Sequence, residues 1–227
     1  KEPARIAYAA MAIPIARAEI DYAETVAKKL GMTTLDKQMI PPPTPDYTPF
    51  ATRLREGNPN WVFSWSPWVT EVRTFEALRR LGWNGQFLGY AHIQAEEELA
   101  RLKDPGFYVF GANALFGDNL PVHAEIRAAV HRAKLSYPVE QLTEGFIAAL
   151  VLESVLKGTA WPPAPAKVLA SMNNIKVDTK GLRGGPIEWT KDNHFRTRMY
   201  YRVYRWDPAK NGIERVKDWT PLDVVNR

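Results

Sequence analysis

The sequence predicts an α/β fold with a parallel sheet, because short apolar segments alternate with helical ones over residues 5–112. Five segments are interpreted as strands, at 5–10, 33–40, 61–65, 86–89 and 107–112. All except 33–40 are short, mainly apolar runs with the composition of buried strands. The segments between these runs have helical periodicity and helix stop signals, such as Leu81-Gly82. Folds of this kind bind ligands in the loops outside the carboxyl ends of their strands.

Prolines and glycines set the boundaries of the first elements. A helix is expected over 15–30, with Gly31 as its stop signal. The four prolines within 41–45 force an extended loop, because each fixes its own φ and biases the preceding residue away from helix. Thr48 is then expected to be the N-cap of a helix that runs through Glu56.

The rest of the chain continues with helices and ends with strands. Helices are expected at 69–81, 93–102, 122–134, 140–157 and 165–172, and strands at 187–189 and 198–206, with 213–216 pairing back. Trp61 and Trp83 are expected in the core, whereas His123, His131 and His194 have no metal-ligand spacing and are interpreted as surface or helix residues. The run Glu96 to Glu98 is interpreted as a solvated helix face.

Composition excludes several classes of function. The chain lacks cysteine, so disulfides, thiol catalysis and thiolate metal sites are excluded. The formal net charge is +5, but basic residues are concentrated only at 196–205, so nucleic-acid binding is not expected. The catalytic motifs GxSxG and HExxH, the P-loop and GxGxxG are absent from the sequence, so we expect a protein that is not an enzyme and needs no cofactor or metal.

The order of segments resembles a known family. The strand–helix series contains Asp46-Tyr47-Thr48 after a proline-rich loop, then NPNWVF, RRLGW and QFLG, and later GFYVFGA and GGPIEW. In this order the chain resembles the type I periplasmic solute-binding proteins of branched-chain amino-acid ABC transporters. The resemblance covers essentially the whole chain and depends on the ordered set rather than on any single motif.

The resemblance implies an α/β fold with two lobes that close on a ligand in the cleft between them. Residues 1–113 and 204–227 correspond to a complete C-terminal lobe, and residues 114–203 to the late part of the N-terminal lobe. The first segment of that N-terminal lobe is expected to be missing from this chain and to act as its partner. The implied location is the periplasm, with the signal peptide outside this chain, and the implied partners are a small-molecule ligand and a membrane permease.

The ligand site that the resemblance implies departs from that of amino-acid binders. Relatives place an acid after the strand equivalent to 86–89, where it pairs with the α-amine of the ligand, but here the loop reads Gly89-Tyr90-Ala91-His92. A buried ammonium group without a countercharge costs several kcal/mol. Apolar and aromatic residues near the loops suit a planar ring with a carboxylate instead. The expected ligand-binding residues are Ile15, Trp65, Ser66, Trp68, Tyr90, His92 and Phe146.

Three functions therefore stay open at this stage. The first is a transport protein for an aromatic or hydrophobic carboxylate, and the second is one for a branched-chain amino acid. The third is a ligand-sensing receptor module built on the same fold, since fold alone does not separate a transporter from a sensor. Asp46 is expected to order its own loop rather than to contact the ligand.

Overall fold

A computed structural model describes residues 3–90, 94–194 and 198–224. The strands are β1 (Arg5–Met11), β2 (Thr33–Ile40), β3 (Trp61–Trp65), β4 (Gln86–Tyr90), β5 (Phe107–Gly111), β6 (Ile175–Val177), β7 (Ile187–Trp189), β8 (Arg198–Asp207) and β9 (Gly212–Asp223). The α-helices are α1 (Pro14–Lys29), α2 (Thr48–Glu56), α3 (Trp68–Arg80), α4 (Ala95–Leu102), α5 (Pro121–Ala133), α6 (Thr143–Leu156) and α7 (Pro165–Met172). Short 3-10 turns lie at Phe116–Asp118 and Val139–Leu142.

Seven of the strands form one sheet, in the order β2-β1-β3-β4-β5-β8-β9. Strands β1 to β5 pair in parallel, as the alternation of strands and helices predicts. A short turn at 208–211 joins β8 to β9, which makes the sheet mixed at that edge. The chain steps from β1 to one side for β2 and to the other side for β3. Such a reversal of strand order opens a crevice at the carboxyl ends of the two diverging strands.

The chain divides into two compact units. Unit 1 comprises Lys1–Phe110 and Val203–Val216, and unit 2 comprises Gly111–Arg202 and Lys217–Arg227. The predicted lobes have nearly the same first boundary, but the prediction assigns all of 204–227 to the C-terminal lobe, whereas residues 217–227 group with unit 2. The reading of these units as a complete lobe and a partial lobe stays a prediction.

One face of the unit 1 sheet is packed against α3 by an aromatic cluster. Phe75 of α3 lies 4.9 Å from Phe107 and 5.7 Å from Phe87 between ring centroids. Each of these three side chains is at most 2% exposed. Because side chains alternate across a strand, the neighbours of Phe87 and Phe107 in sequence point to the opposite face.

That opposite face carries a row of rings that α1 covers only in part. We call it the aromatic face and define it by Tyr8, Trp61, Phe63, Tyr90, Tyr108 and Phe110, whose neighbouring ring centroids lie 5.4–6.4 Å apart. An open cavity of about 260 Å³ lies between these strands and α1. Its rim includes Leu30, which is 66% exposed. Trp61 is half-buried on this face, so the prediction that it lies in the core holds only in part.

Unit 2 packs α5 and α6 with the β6–β7 pair around Ile126, Ile147 and Ile187. The apolar residues of α6 are distributed around the helix, so both its buried and its open sides are hydrophobic. Leu152 is 52% exposed, and Ala148 and Ala149 are exposed beside it. An apolar helix is normally covered on all sides.

A buried ion pair lies near the end of unit 2. The Arg202 guanidinium donates to Asp118 Oδ2 at 3.0 Å and to Asp218 Oδ1 at 2.8 Å. It also lies 4.1 Å from the centre of the Trp219 ring. The side chains of Arg202 and Asp118 are 8% and 12% exposed, so this pair is largely withdrawn from water.

Several local predictions are confirmed and others are wrong. Trp83 is 5% exposed, as expected for the core, and its indole N–H donates to the Pro59 carbonyl at 2.8 Å. Helix α2 begins at Thr48 itself, with Tyr47 as N-cap, so Thr48 is not the cap. His123 lies in helix α5, as one of the two alternatives predicts, but it is not at the surface, because it is fully buried and stacks on Phe116 with 4.3 Å between ring centroids.

The interpretation of the acidic run on α4 is also corrected in part. Glu97 is exposed as expected. Glu98 is only 8% exposed, and its carboxylate is paired with Arg101 at 2.8 Å. The pair lies three residues apart on one helix face, which explains how the charge is satisfied near the core.

Candidate ligand-binding site

Three adjacent strands of unit 1 bring most of the predicted ligand-binding residues to one edge. Strand β3 lies between β1 and β4, so the loops that follow these parallel strands are neighbours. Trp65 and Tyr90 are the last residues of β3 and β4, and both are half-buried. Trp68 is the first residue of α3 and is also half-buried, whereas Ile15 in the first turn of α1 is 58% exposed.

The two strand-terminal aromatic side chains are held by their neighbours in the sheet. Trp65 packs against the cluster that Tyr8 and Ala10 of β1 form with Ile20 of α1. The Tyr90 ring meets the Phe110 ring edge-on, with 5.4 Å between centroids. Both side chains are therefore oriented by packing while a part of each stays accessible to solvent.

Ser66 is a predicted ligand-binding residue, but the structure buries it. The residue is only 4% exposed, and its backbone N–H donates to Glu71 Oε1 at 3.3 Å. In this structure Ser66 contributes to the position of the loop after β3 rather than to its open surface. A role of its hydroxyl group in ligand binding stays a prediction.

The other predicted residues lie outside this edge or outside the described part of the chain. His92 falls in the stretch 91–93, which is not among the described residues. Phe146 belongs to unit 2, where it lies in the first turn of α6 and packs, partly buried, against that unit's core. Asp46 orders its own loop as expected, because its Oδ1 accepts the Thr48 N–H at 2.9 Å.

Sequence reasoning missed Glu71, which lies beneath this edge. Glu71 is in the first turn of α3 and is 2% exposed. Its Oε1 accepts the Tyr90 N–H at 3.1 Å as well as the Ser66 N–H. Burial raises the pKa of this carboxyl group well above its usual range, although the hydrogen bonds that it accepts from the Tyr90 and Ser66 N–H groups oppose the shift.

A sequence signal for this buried acid does exist. Glu71, Phe75 and Leu78 are spaced i, i+4 and i+7, which places them on one face of a helix. Phe75 and Leu78 are core residues, so an acid at the first position of that face is an anomaly that needs an explanation. An acid with several hydrogen-bond donors around it, near a ligand edge, is a recurrent feature of functional sites.

Gly89 gives the Glu71 carboxyl group room beside β4. A Cβ atom at this position would lie 2.8 Å from Glu71 Oε2 and 3.1 Å from its Cδ. Any side chain at residue 89 would therefore collide with the carboxyl group. The buried acid at position 71 therefore requires a glycine at position 89.

Two features of the described residues bear on metal binding and membrane spanning, namely the grouping of ligating side chains and the apolar length of the helices. Among residues 3–90, 94–194 and 198–224, no group of three His, Asp or Glu side chains is arranged to hold a metal ion. None of the helices in the same ranges combines the length and apolar character needed to cross a bilayer.

An α/β unit with aromatic side chains at the carboxyl ends of adjacent parallel strands is typical of a protein that binds small molecules. The family model described as periplasmic binding protein matches residues 2–212, and the chain therefore belongs to the periplasmic binding protein family. This confirms the family that the order of segments predicts. The family consists of extracytoplasmic binding proteins rather than enzymes. No curated protein sequence matches the chain at a significant level.

Solved structures share the fold at low sequence identity. A branched-chain amino-acid ABC transporter protein from Thermus thermophilus with bound valine is 15% identical, with a TM-score of 0.79 over 97% of this chain and 61% of its own. An ABC transporter substrate-binding protein from Aeropyrum pernix is 12% identical, with a TM-score of 0.79 over 96% of this chain and 60% of its own. A fatty-acid ABC transporter substrate-binding protein from Thermomonospora curvata is 16% identical, with a TM-score of 0.72 over 97% of this chain and 58% of its own. The chain thus spans about three-fifths of the length of these structures.

Proposed function

We propose that this chain is the C-terminal part of an extracytoplasmic solute-binding protein that delivers an aromatic or hydrophobic carboxylate to an ABC transporter permease. The observation that carries the proposal is the pair Trp65 and Tyr90. These aromatic side chains end adjacent parallel strands, are held by packing and stay half-accessible at the edge where this fold binds ligands. Such surfaces suit an apolar ring or chain, which gains from contact with aromatic faces.

The absence of a suitable acid argues against an α-amino acid as ligand. The sequence Gly89-Tyr90-Ala91-His92 after β4 has no carboxylate for an ammonium group. Glu71 lies close by, but it is 2% exposed and its Oε1 accepts two backbone N–H groups. An ammonium group buried at this edge would therefore lack a countercharge from the described residues of the loops, at a cost of several kcal/mol.

A carboxylate finds more suitable groups at the same edge. Helix α3 begins at Trp68, three residues after the end of β3, and a helix amino end attracts negative charge. His92 follows β4 by two residues in the sequence, and its imidazole carries an N–H group that can donate a hydrogen bond. We therefore propose that the ring of the ligand contacts Trp65 and Tyr90 while its carboxylate is oriented toward these donors.

A branched-chain amino acid is the second candidate ligand, because a structure with bound valine shares the fold. A ligand-sensing receptor module of the same fold is the third reading of the function. A signalling domain in the complete protein would favour the sensor, and a secretory or lipoprotein signal would favour the transporter.

The complete protein is also proposed to contain a segment before Lys1 that covers the open hydrophobic surfaces. Two observations support this proposal. The aromatic face of unit 1 leaves Trp61 and Phe63 half-buried beside a cavity of about 260 Å³, and α6 of unit 2 leaves Leu152 52% exposed. The matched solved structures are longer than this chain by about two-fifths of their length. Hydrogen exchange of Phe63 and Leu152 amides should be slower in the complete protein than in residues 1–227 alone, and equal exchange would contradict the proposal.

A thermal-shift screen of the complete protein tests the ligand class. A ligand at 100 times its Kd stabilises the native state by about 2.7 kcal/mol, which raises the melting temperature measurably. We expect stabilisation by 3-phenylpropanoate or benzoate and little effect from leucine or valine. Stabilisation by the amino acids alone would replace the first candidate by the second.

Substitutions at the two aromatic residues test the site itself. Trp65→Ala and Tyr90→Ala should each weaken binding by about tenfold, equivalent to about 1.4 kcal/mol, while the protein stays folded. Trp161→Ala is the matched control, because Trp161 is 86% exposed and distant in sequence from the loops. Unchanged affinity in both variants would remove these residues from the site.

A further inference from the structure

Strands β3 and β4 separate before they end. Their register pairs run from Trp61↔Gln86 to Phe63↔Leu88. Each strand stays paired further with its other neighbour. Strand β3 pairs with β1 as far as Trp65, and β4 pairs with β5 as far as Tyr90. Within this described stretch, the register between β3 and β4 therefore ends two residues before the last residue of either strand.

The Glu71 carboxyl group occupies the place where these two strands separate. One oxygen of this group, Oε1, accepts both the N–H of Ser66 at 3.3 Å, just after β3, and the N–H of Tyr90 at 3.1 Å, at the end of β4. Ser64 of β3 is fully buried, and the carboxyl group occupies the space that a Cβ atom of residue 89 in β4 would need. One side chain from α3 thus joins the two strands beyond their last register pair.

We propose that Glu71 is the positioning residue of the ligand site, because it fixes the end of β3 relative to the end of β4. The inference rests on the proposed function and deepens it, since Trp65 and Tyr90 are the residues that these strand ends present. If Glu71 holds both N–H groups, the two rings keep a constant spacing before a ligand arrives. A site whose groups are ordered in advance loses less conformational freedom on binding.

The chemistry of the contact predicts how substitutions behave. A glutamine keeps an acceptor oxygen of the same reach, so Glu71→Gln preserves both hydrogen bonds. A leucine of similar size removes the acceptor and leaves two donors unsatisfied in a buried place. Among the described residues, the groups near the carboxyl group include the Ser64 side chain from β3, the Ser66 N–H from the loop and the Gly89–Tyr90 backbone from β4. His92 is the titratable side chain that follows next in sequence.

Amide resonances of the complete protein provide a test that needs no ligand. The Ser66 and Tyr90 N–H resonances, 24 residues apart in sequence, should shift with pH along one common titration curve in the wild type. The curve should persist in His92→Gln and vanish in Glu71→Gln, which keeps both amides protected from exchange. In Glu71→Leu both amides should exchange faster. Separate titration curves, or a common curve that persists in Glu71→Gln, would overturn the inference.

Binding measurements provide the second arm, with 3-phenylpropanoate and leucine as probes. For whichever probe stabilises the wild type, Glu71→Leu should raise the Kd by about tenfold or more, and Glu71→Gln should stay within about threefold. The control is Glu97→Leu, an exposed acid on α4, which should bind as the wild type does. Equal affinity in wild type and Glu71→Leu would overturn the positioning role.

The two arms keep the inference and the proposed function distinguishable. If neither probe binds to the wild type, the proposed ligand class is wrong, yet the amide titration still decides whether Glu71 joins the two strands. If Glu71→Leu does not fold, wild type and Glu71→Gln are compared instead. Loss of the common amide titration curve in Glu71→Gln supports the role of Glu71 in joining the two strands, and its persistence contradicts that role.

Discussion

Replacing Gly89 by alanine is expected to destabilise unit 1 through a collision with Glu71. The new Cβ would lie 2.8 Å from Oε2, whereas ordinary contact begins at 3.4 Å, so the carboxyl group has to retreat by about 0.6 Å. That movement lengthens the bonds from the Ser66 and Tyr90 N–H groups, which already measure 3.3 Å and 3.1 Å. Overpacking of a well-packed site costs about 1–3 kcal/mol, and we expect a value in this range.

Urea unfolding at constant slope measures this cost. Gly145→Ala is the matched control, because no atom lies within 4 Å of the added Cβ and the residue is inside α6, where alanine favours the helix by about 1 kcal/mol. The double variant Gly89→Ala/Glu71→Asp shortens the acid by one methylene, so the two substitutions should be coupled by at least about 0.5 kcal/mol. If Gly89→Ala is as stable as the wild type, or if the coupling is zero, the proposed collision is refuted.

Three further predictions concern the core, the buried ion pair and a buried histidine. Phe87→Ala should lower the free energy of unfolding by about 3–5 kcal/mol in urea titrations, because Phe87 is fully buried within the ring cluster. Arg202→Met should lower the free energy of unfolding by about 3–5 kcal/mol, because it leaves the Asp118 carboxylate buried without its partner. The control Arg198→Met removes an exposed ion pair with Asp223 and should lower it by at most about 1 kcal/mol. Burial, followed by the nearby Arg127 charge, lowers the pKa of His123 below 6.5, so the unfolded state binds the proton more readily. The buried, neutral His123 therefore contributes to stability above about pH 6.5, and this contribution is lost as the pH falls below that value. His123→Gln should flatten this part of the stability–pH curve.

The alternation of β1 to β5 with helices was predictable because buried parallel strands are continuous apolar runs. Two strand features were not. Strand β6 has only three residues and, unlike the equally short β7, no Gly-Gly-Pro turn before it to mark its start. Strand β9 extends to Asp223 through Lys217 and Asp218, whose charges do not resemble a strand pattern. Strand β9 is an edge strand of its sheet, where polar side chains remain compatible with pairing.

The candidate site was predictable only as a set of loops. The positions of Trp65 and Tyr90 near the strand ends follow from the pattern, because the run 61–65 ends on Trp65 and the run 86–89 ends just before Tyr90. The role of Glu71 and the burial of His123 depend on contacts between residues far apart in sequence, such as Glu71 with Tyr90. Such contacts are decided by packing, and no local rule in the sequence identifies the partner.

The contact of Glu71 with both strand ends has a consequence for changing ligand specificity by exchange of loops. A donor loop grafted after β3 would carry its own side chains but would still be aligned by a helix residue and by Gly89, which lie outside the graft. The transferable module is therefore the loop together with residues 71 and 89. Grafts that omit these two positions should give chimaeras that carry the intended loop side chains but hold them at the wrong distance from the end of β4.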